Sequence, residues 1–260
     1  MKNLVVLHLY YTDMWPYFKS RLTLLGVDFD LVVTIPEQNK SYEKDIIKDY
    51  SFAKVLITEN HGRDVWPFIQ AMNKYQKNYT HVLKLHSKKS KHRKDGSMWL
   101  DDIVDKLTNK KGSDEIIEIL DNPKTGIIGP EGQYLPLAIN LPANGVKIKK
   151  ILRRKYGLFR AGRILNRSFD YGFFAGTMFW ARIDAIKPII DMNFQRSDFD
   201  DEKGQIDGTF AHALERVFCL IPEIDGRQMY AIDKSGTIIK IPNNSNNIPD
   251  WSDLNSKHKK

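Results

Sequence analysis

The stretch AKVLITENHGRDVWPFIQAMNKYQKNYTHVLKLHSKKS, residues 53–90, reads as strand, turn, helix and strand in succession. Ala53 to Thr58 is a short apolar run with Val55 and Ile57, bounded by polar residues. Asn60-His61-Gly62 ends it, because Asn and Gly tolerate positive φ. From Asp64 to Tyr79 the apolar residues Val65, Phe68, Ile69, Met72 and Tyr75 recur at helical spacing. His81 to Leu85 alternates into a second strand, which runs straight into His86-Ser87-Lys88-Lys89-Ser90. Two polar motifs, E-N-H-G-R-D and K-L-H-S-K-K-S, therefore fall at the carboxyl ends of strands. In an open parallel sheet, neighbouring carboxyl ends form the crevice in which ligands bind.

The first motif also opens a helix, where free N–H groups and the dipole favour an anion. The second gathers Lys84, His86, Lys88 and Lys89 within a few residues. Two cationic loops converging on a helix start suit a phosphate or diphosphate. An alternative stays open: the lysines are a solvated run, and Asp64 caps or charges the first helical turn.

Outward from this unit the order stays regular. Leu4 to Tyr10 is a continuous apolar strand of the buried parallel kind. A helix from Met14 to Leu25, a strand from Phe29 to Ile35 and a helix near Tyr42 to Tyr50 follow. The β-α-β-α-β-α-β order implies an α/β fold with a mostly parallel sheet flanked by helices. Beyond a basic loop at 91–96, helices are expected over Met98–Leu107 and Ser113–Leu120, and a strand over Thr125–Pro130. Residues 131–168 form a basic amphipathic insert, with Lys147, Lys149, Lys150, Arg153, Arg154, Lys155, Arg160, Arg163 and Arg167 around Ile148, Ile151, Leu152, Phe159, Ile164 and Leu165. It reads either as a surface attached to anionic membrane or as an ordinary helix packed on the core. Phe169 to Ala181 is aromatic-rich, and its Gly172 and Gly176 allow close approach. Helices over Ile183–Met192 and Ile206–Cys219 and late strands over Met229–Ile232 and Thr237–Ile241 complete the chain. The organisation is one domain over 1–243, with a first half (1–130), the insert and a second half (169–243), and a loose polar tail at 244–260.

Composition bounds the function. A chain of 260 residues, 42% hydrophobic and 11% aromatic, buries a full globular core. A single cysteine, Cys219, excludes an internal disulfide framework and fits a reducing compartment. No signal peptide or membrane-spanning stretch is read near the start, so a cytoplasmic location is expected, with contact on the inner membrane face as an open addition. A formal charge of +8 implies an acidic partner. Nucleic acid is not expected, because no nucleic-acid motif accompanies the charge. Dinucleotide, P-loop, zinc and serine-hydrolase fingerprints are absent. D-F-D-D-E, Asp198 to Glu202, lacks calcium-loop spacing and is read as a solvated acidic loop. Asp207 is the candidate general base, at a loop-to-helix junction beside Gly208; its alternative is a helix cap. His212, Glu215 and Arg216 follow on the same helix, the last two as a candidate ion pair.

Five segments in order resemble the rhamnan synthesis protein F family of bacterial polysaccharide glycosyltransferases: Val6–Tyr11 (VLHLYY), Asn60–Phe68 (NHGRDVWPF), Val82–Ser90 (VLKLHSKKS), Phe174–Arg182 (FAGTMFWAR) and Asp207–Arg216 (DGTFAHALER). The resemblance implies a GT-A-like fold. It also implies transfer of a sugar, L-rhamnose from a dTDP donor, to a cell-surface polysaccharide or lipid-linked glycan. Such enzymes usually hold a divalent metal on a D-x-D motif. Here His86-Ser87-Lys88 stands at that place, so metal-independent transfer with no cofactor is expected, the cations neutralising the diphosphate. The implied nucleotide-sugar residues are His8, Tyr10, Asn60, Gly62, Arg63, Asp64, Lys84, His86, Ser87 and Lys88, with Asp64 orienting Arg63 or a donor hydroxyl. Gly176, Thr177, Phe179, Trp180 and His212 are the implied acceptor side, an aromatic ring stacking on sugar, and Asp207 is the base of an inverting displacement. A non-catalytic carbohydrate- or membrane-binding partner in polysaccharide assembly is the competing reading.

Overall fold

A computed structural model of the chain describes residues 2–89 and 96–242. The elements run β1 (Asn3–His8), α1 (Trp15–Leu22), β2 (Phe29–Pro36), α2 (Glu43–Asp49), β3 (Lys54–Thr58), α3 (Val65–Tyr75), β4 (His81–His86), α4 (Gly96–Leu107) and α5 (Ser113–Asp121). Then come β5 (Thr125–Pro130), β6 (Tyr134–Pro136), α6 (Leu141–Asn166), β7 (Gly172–Phe174), β8 (Phe179–Arg182), α7 (Ile183–Ile190), α8 (Phe210–Ile224), β9 (Gln228–Ile232) and β10 (Ile238–Lys240). The basic loop and the polar tail of the sequence reading lie outside the described residues.

Eight strands form one sheet in the order β10-β9-β5-β8-β4-β1-β2-β3. β1 pairs parallel with β2 and β4, β2 with β3, and β5 with β9. β8 lies antiparallel between β4 and β5, and β10 is antiparallel to β9. β6 and β7 make a separate antiparallel pair. This mostly parallel sheet flanked by helices is consistent with a GT-A-like domain, and both halves of the chain contribute strands to it.

The period of two along each central strand divides the core between the faces. Leu4, Val6, Val82, Phe179 and Ala181 join one core, with Phe68 of α3 and Phe218 of α8. Val5, Leu7, Leu83, Leu85 and Trp180 join the other, with Phe18 of α1 and Ile103 of α4. The aromatic segment 169–181 is thereby split, β7 going to the small pair and β8 to the main sheet. Phe179 lies between Phe68 and Phe218. The Trp180 indole donates to the Leu107 carbonyl at 2.9 Å and the residue is 1% exposed. Neither ring can stack on a sugar, which corrects the role expected of both.

The basic insert is also reassigned. Ile148, Ile151 and Leu152 of α6 are fully buried against the core. Lys147 pairs with Asp200, Lys150 and Arg154 with Asp198, and Lys155 with Asp225. Up to Tyr156 this stretch is therefore a helix packed on the domain. The supposedly solvated acidic loop supplies Asp198 and Asp200 to it.

Where β5 passes β7, a Cβ on Gly129 would overlap the Phe174 ring. Gly129→Ala is expected to destabilise the domain by about 1–3 kcal/mol in urea unfolding, as overpacking does. Gly162→Ala, in α6 with open space around it, is expected to be neutral or stabilising by up to about 1 kcal/mol.

Candidate functional site

β3 is an edge strand, separated from β4 by β2 and β1. The motif that follows β3 nevertheless reaches β4, because residues 59–64 cross the carboxyl ends of the intervening strands. Gly62 has φ +61°, and a Cβ there would lie 2.6 Å from the Cβ of Trp66 and 2.7 Å from the Phe199 ring. Asp64 stands at the head of α3 but accepts no hydrogen bond from the helix, so it is not a cap. Its carboxylate turns to β4 instead. Lys84 Nζ donates to Asp64 Oδ2 and, at 2.8 Å, to the Thr177 carbonyl. His86 Nδ1 lies 3.4 Å from the same Asp64 oxygen and makes no hydrogen bond. Period two sets Lys84 and His86 on one face of β4. His8 ends the adjacent β1, opposite His86 in register, with its Nδ1 2.9 Å from Thr34 Oγ1.

These groups are charged unequally. Burial works to raise the Asp64 carboxyl, but the fields of His86 and Lys84 and the Lys84 hydrogen bond hold it well below its ordinary value. Burial drives His86 down to about 3, with Lys84 and Lys88 adding to it and Asp64 opposing. Burial likewise brings His8 down to about 4. At neutral pH the cluster is an Asp64–Lys84 ion pair between two neutral imidazoles. Two expectations change here. Lys84, 1% exposed, is committed to Asp64 and Thr177 rather than displayed to solvent. Asp64 serves Lys84 and His86, not Arg63.

The second half of the site is built on α8. Thr209 caps it: its Oγ1 accepts from the His212 N–H at 3.3 Å, and His212 Nδ1 accepts from the Thr209 N–H at 3.2 Å. Asp200 accepts from the Phe210 N–H at 2.6 Å. Asp207 is therefore released from capping. Asn144 Nδ2 lies 3.1 Å from both its oxygens, and Arg216 lies 3.2 Å from Oδ1. The same buried guanidinium meets Glu215 Oε2 at 3.3 Å, while Glu215 Oε1 accepts from the Gly176 N–H at 2.6 Å. One cation thus stands between two carboxylates with opposite shifts. Although burial opposes it, Asn144, the Gly208 N–H and Arg216 hold the Asp207 carboxyl low. Burial wins at Glu215, whose carboxyl is raised. Burial, with Arg63, lowers His212 to about 4.

The rim is formed by both motifs. Arg63, at φ +57°, gives its N–H to Glu202 at 3.2 Å and its guanidinium to the Gln205 carbonyl. A carboxylate of the acidic loop thus occupies a backbone donor at the helix start where an anion was expected. Asn60 is exposed beside it. Lys88 lies 4.8 Å over the Trp99 ring, and Trp99 donates to Gln133 at 2.9 Å. Ser87 Oγ accepts from the Tyr11 N–H at 2.9 Å, and Tyr10 stacks edge-on against Tyr11. Gly176 (φ +93°) passes under Trp99, where a Cβ would sit 2.8 Å from the ring. Trp99 and Gln133 escape the sequence reading. Trp99 sits at helical spacing with Ile103 and Leu107 and reads as core, and Gln133 carries no signal. Glu215 reads there only as half of an ion pair, although it braces the Gly176 turn.

β4 ends at His86, with Ser87 and Lys88 next, and Asp64 is committed to Lys84. Among the described residues, no group of three or more His, Cys, Asp or Glu is placed to hold a metal ion.

The chain is thus an α/β domain with a mixed sheet flanked by helices, in which the 59–64 turn and the end of β4 meet at the carboxyl ends of the strands. Over residues 1–226 the chain matches the family described as Rhamnan synthesis protein F, and it belongs to that family. Two proteins of Xanthomonas campestris pv. campestris, strains B100 and ATCC 33913, both named uncharacterized protein WxcX, are 31% identical to it over 245 residues. That alignment covers 92% of this chain and 34% of each relative, so the chain spans about a third of their length. Membership points to a role in rhamnan or polysaccharide synthesis.

The three depressed imidazoles give a pH prediction. Unfolded histidines, near 6.5, take up protons before the folded ones, so stability is present above pH 6.5 and is lost as pH falls toward about 4. His8 alone accounts for about 3 kcal/mol across that window. The melting temperature followed from pH 7.5 to 4.5 is expected to fall steadily, with a shallower slope in His8→Gln. A flat profile would contradict the buried neutral cluster.

Proposed function

We propose that this chain is a glycosyltransferase domain that moves a sugar from a nucleotide-diphosphate donor to a glycan or lipid-linked glycan. The family's tie to rhamnan synthesis supports a dTDP-L-rhamnose-type donor, and the reaction proposed is an inverting single displacement without a metal. One observation carries the reading. In a family tied to polysaccharide synthesis, the reading is supported by His86, Lys88 and the Asn60–Arg63 turn at the carboxyl ends of the strands, together with Asp207, freed from capping, at the start of α8.

In this scheme the diphosphate lies against Lys88, His86 and the first turn of α3, and displaces Glu202 from the Arg63 N–H. His8 and Tyr10 face the nucleotide. Asp207, kept ionised by Asn144 and Arg216, takes the proton of the acceptor hydroxyl as its oxygen bonds to the anomeric carbon. The bond from that carbon to the diphosphate breaks, and its electron pair leaves on the phosphate oxygen, where the cations offset the charge. The turn at Gly176 and Thr177, braced by Glu215, borders the acceptor together with His212.

The test is thermal stabilisation by dTDP and UDP compounds, with EDTA or with Mn²⁺, followed by transfer assays. A bound nucleotide raises the melting temperature by mass action. The expected result is a shift that survives EDTA and is lost in Lys88→Ala. Asp207→Asn keeps the shift but loses transfer by about 10²–10⁴-fold. A shift that requires Mn²⁺ would overturn the metal-free account. The absence of a shift with every nucleotide would leave a non-catalytic carbohydrate-binding role.

A further inference from the structure

Residues 132–169 contain nine Lys and Arg and no Asp or Glu. The structure divides this run in two at Gly157, whose φ of +75° breaks α6 in open space. Before the break Lys147, Lys150, Arg154 and Lys155 serve the fold through pairs with Asp198, Asp200 and Asp225. After it Arg167 pairs with Asp170, but other cations on either side of the break are not engaged in this way. Arg153 and Arg163 are exposed and make no ion pair with a described residue. Arg160 lies 4.7 Å over the Tyr156 ring with its outer side in solvent.

Most apolar side chains on the inner face of α6 are buried on both sides of the break, Ala161 and Ile164 among them, but the two at the break itself are not. Ile148, Ile151 and Leu152 are buried, whereas Leu158 and Phe159 directly after the break are 48% and 86% exposed. Phe169, just past the end of α6, is 66% exposed. A single exposed aromatic residue is ordinary. Leu158 and Phe159 side by side at the break, on a helix that also carries the exposed Arg153, Arg160 and Arg163, are not. They meet the two requirements of an interfacial segment: apolar side chains to enter the headgroup boundary and cations to hold anionic lipid.

We propose that the α6 elbow, with Leu158 and Phe159 inserted and Arg153, Arg160 and Arg163 on the headgroups, docks the domain on an anionic lipid bilayer. The assignment is narrower than a basic amphipathic helix laid flat, since the apolar face of α6 before Gly157 is already covered by the core. It also does not depend on the glycosyltransferase reading. If that reading holds, the geometry has a consequence. α6 starts beside Asp207 (through Asn144) and reaches Asp225 through Lys155, so it runs alongside α8. At 15 residues, α8 separates the elbow from Asp207 by about 22 Å, and an acceptor anchored in the bilayer would approach from that side.

The experiment is vesicle co-sedimentation of the purified chain with 1:1 phosphatidylglycerol–phosphatidylcholine and with phosphatidylcholine alone. The expected result is salt-sensitive binding to the anionic vesicles only. Leu158→Ser/Phe159→Ser and Arg160→Gln/Arg163→Gln should each weaken it at least tenfold without changing the melting temperature. Lys44→Gln/Lys48→Gln, an equal charge change on exposed positions of α2, should leave it within twofold. Three results would overturn the proposal. One is no binding to anionic vesicles. Another is equal loss in the α2 control, which would mean unspecific charge attraction. The third is absent vesicle binding with self-association that Leu158→Ser/Phe159→Ser abolishes, which would make the elbow a protein contact.

Discussion

The buried ion pair between Lys84 and Asp64 is the constraint on which the site depends. Removing both charges from water costs several kcal/mol each, and that cost is offset only where geometry is good and the remaining donors are satisfied. Lys84 meets the condition by giving hydrogen bonds to Asp64 and to the Thr177 carbonyl and by resting over the Phe68 ring. The pair thereby ties three segments distant in the chain: the turn after β3, the end of β4 and the turn before β8. Thr177 is held at φ +54°, a conformation that costs a non-glycine residue on the order of 1 kcal/mol or more, and Lys84 takes the carbonyl that this conformation presents.

Around this fixed point the electrostatics divide by location. Deep groups are paired or neutral: Asp64 with Lys84, His8 and His86 uncharged. Arg216 is shared between Asp207 and Glu215, and the two carboxyls move in opposite directions because one is a third exposed and richly hydrogen-bonded while the other is enclosed. Environments that separate two carboxyls in this way suit them to different work. Toward the rim, Lys88 remains in contact only with an aromatic face among its described partners, and Arg63 is engaged by Glu202. One cation is thus displayed and another is covered by an internal carboxylate.

Much of this was legible locally. The strand–turn–helix–strand unit at 53–90 is encoded in neighbouring residues, and so are the break at Asn60–Gly62 and the strand at Thr125–Pro130. What stayed hidden depends on partners far along the chain. β8 is four residues long, and no local period says that it enters antiparallel between β4 and β5; burial on both faces then takes Phe179 and Trp180 away from any sugar. The cations of α6 are plain in the sequence, but their carboxylate partners in the 198–200 loop are brought beside them only by the fold. Asp64 reads as a cap at a helix start, and only the crossing of the 59–64 turn over β2 and β1 turns it toward Lys84. Trp99 reads as core because spacing does not report which end of a helix face opens into a crevice.

Asp64 and Lys84 act as one unit, and a double-mutant cycle in urea unfolding measures that directly. Asp64→Asn and Lys84→Met should each cost about 3–5 kcal/mol, the penalty of leaving one buried charge alone. The double variant should cost much less than their sum, giving a coupling of at least about 2 kcal/mol. Single costs below about 1 kcal/mol that simply add would contradict the account, because they would mean that the pair does not hold the turn to the sheet.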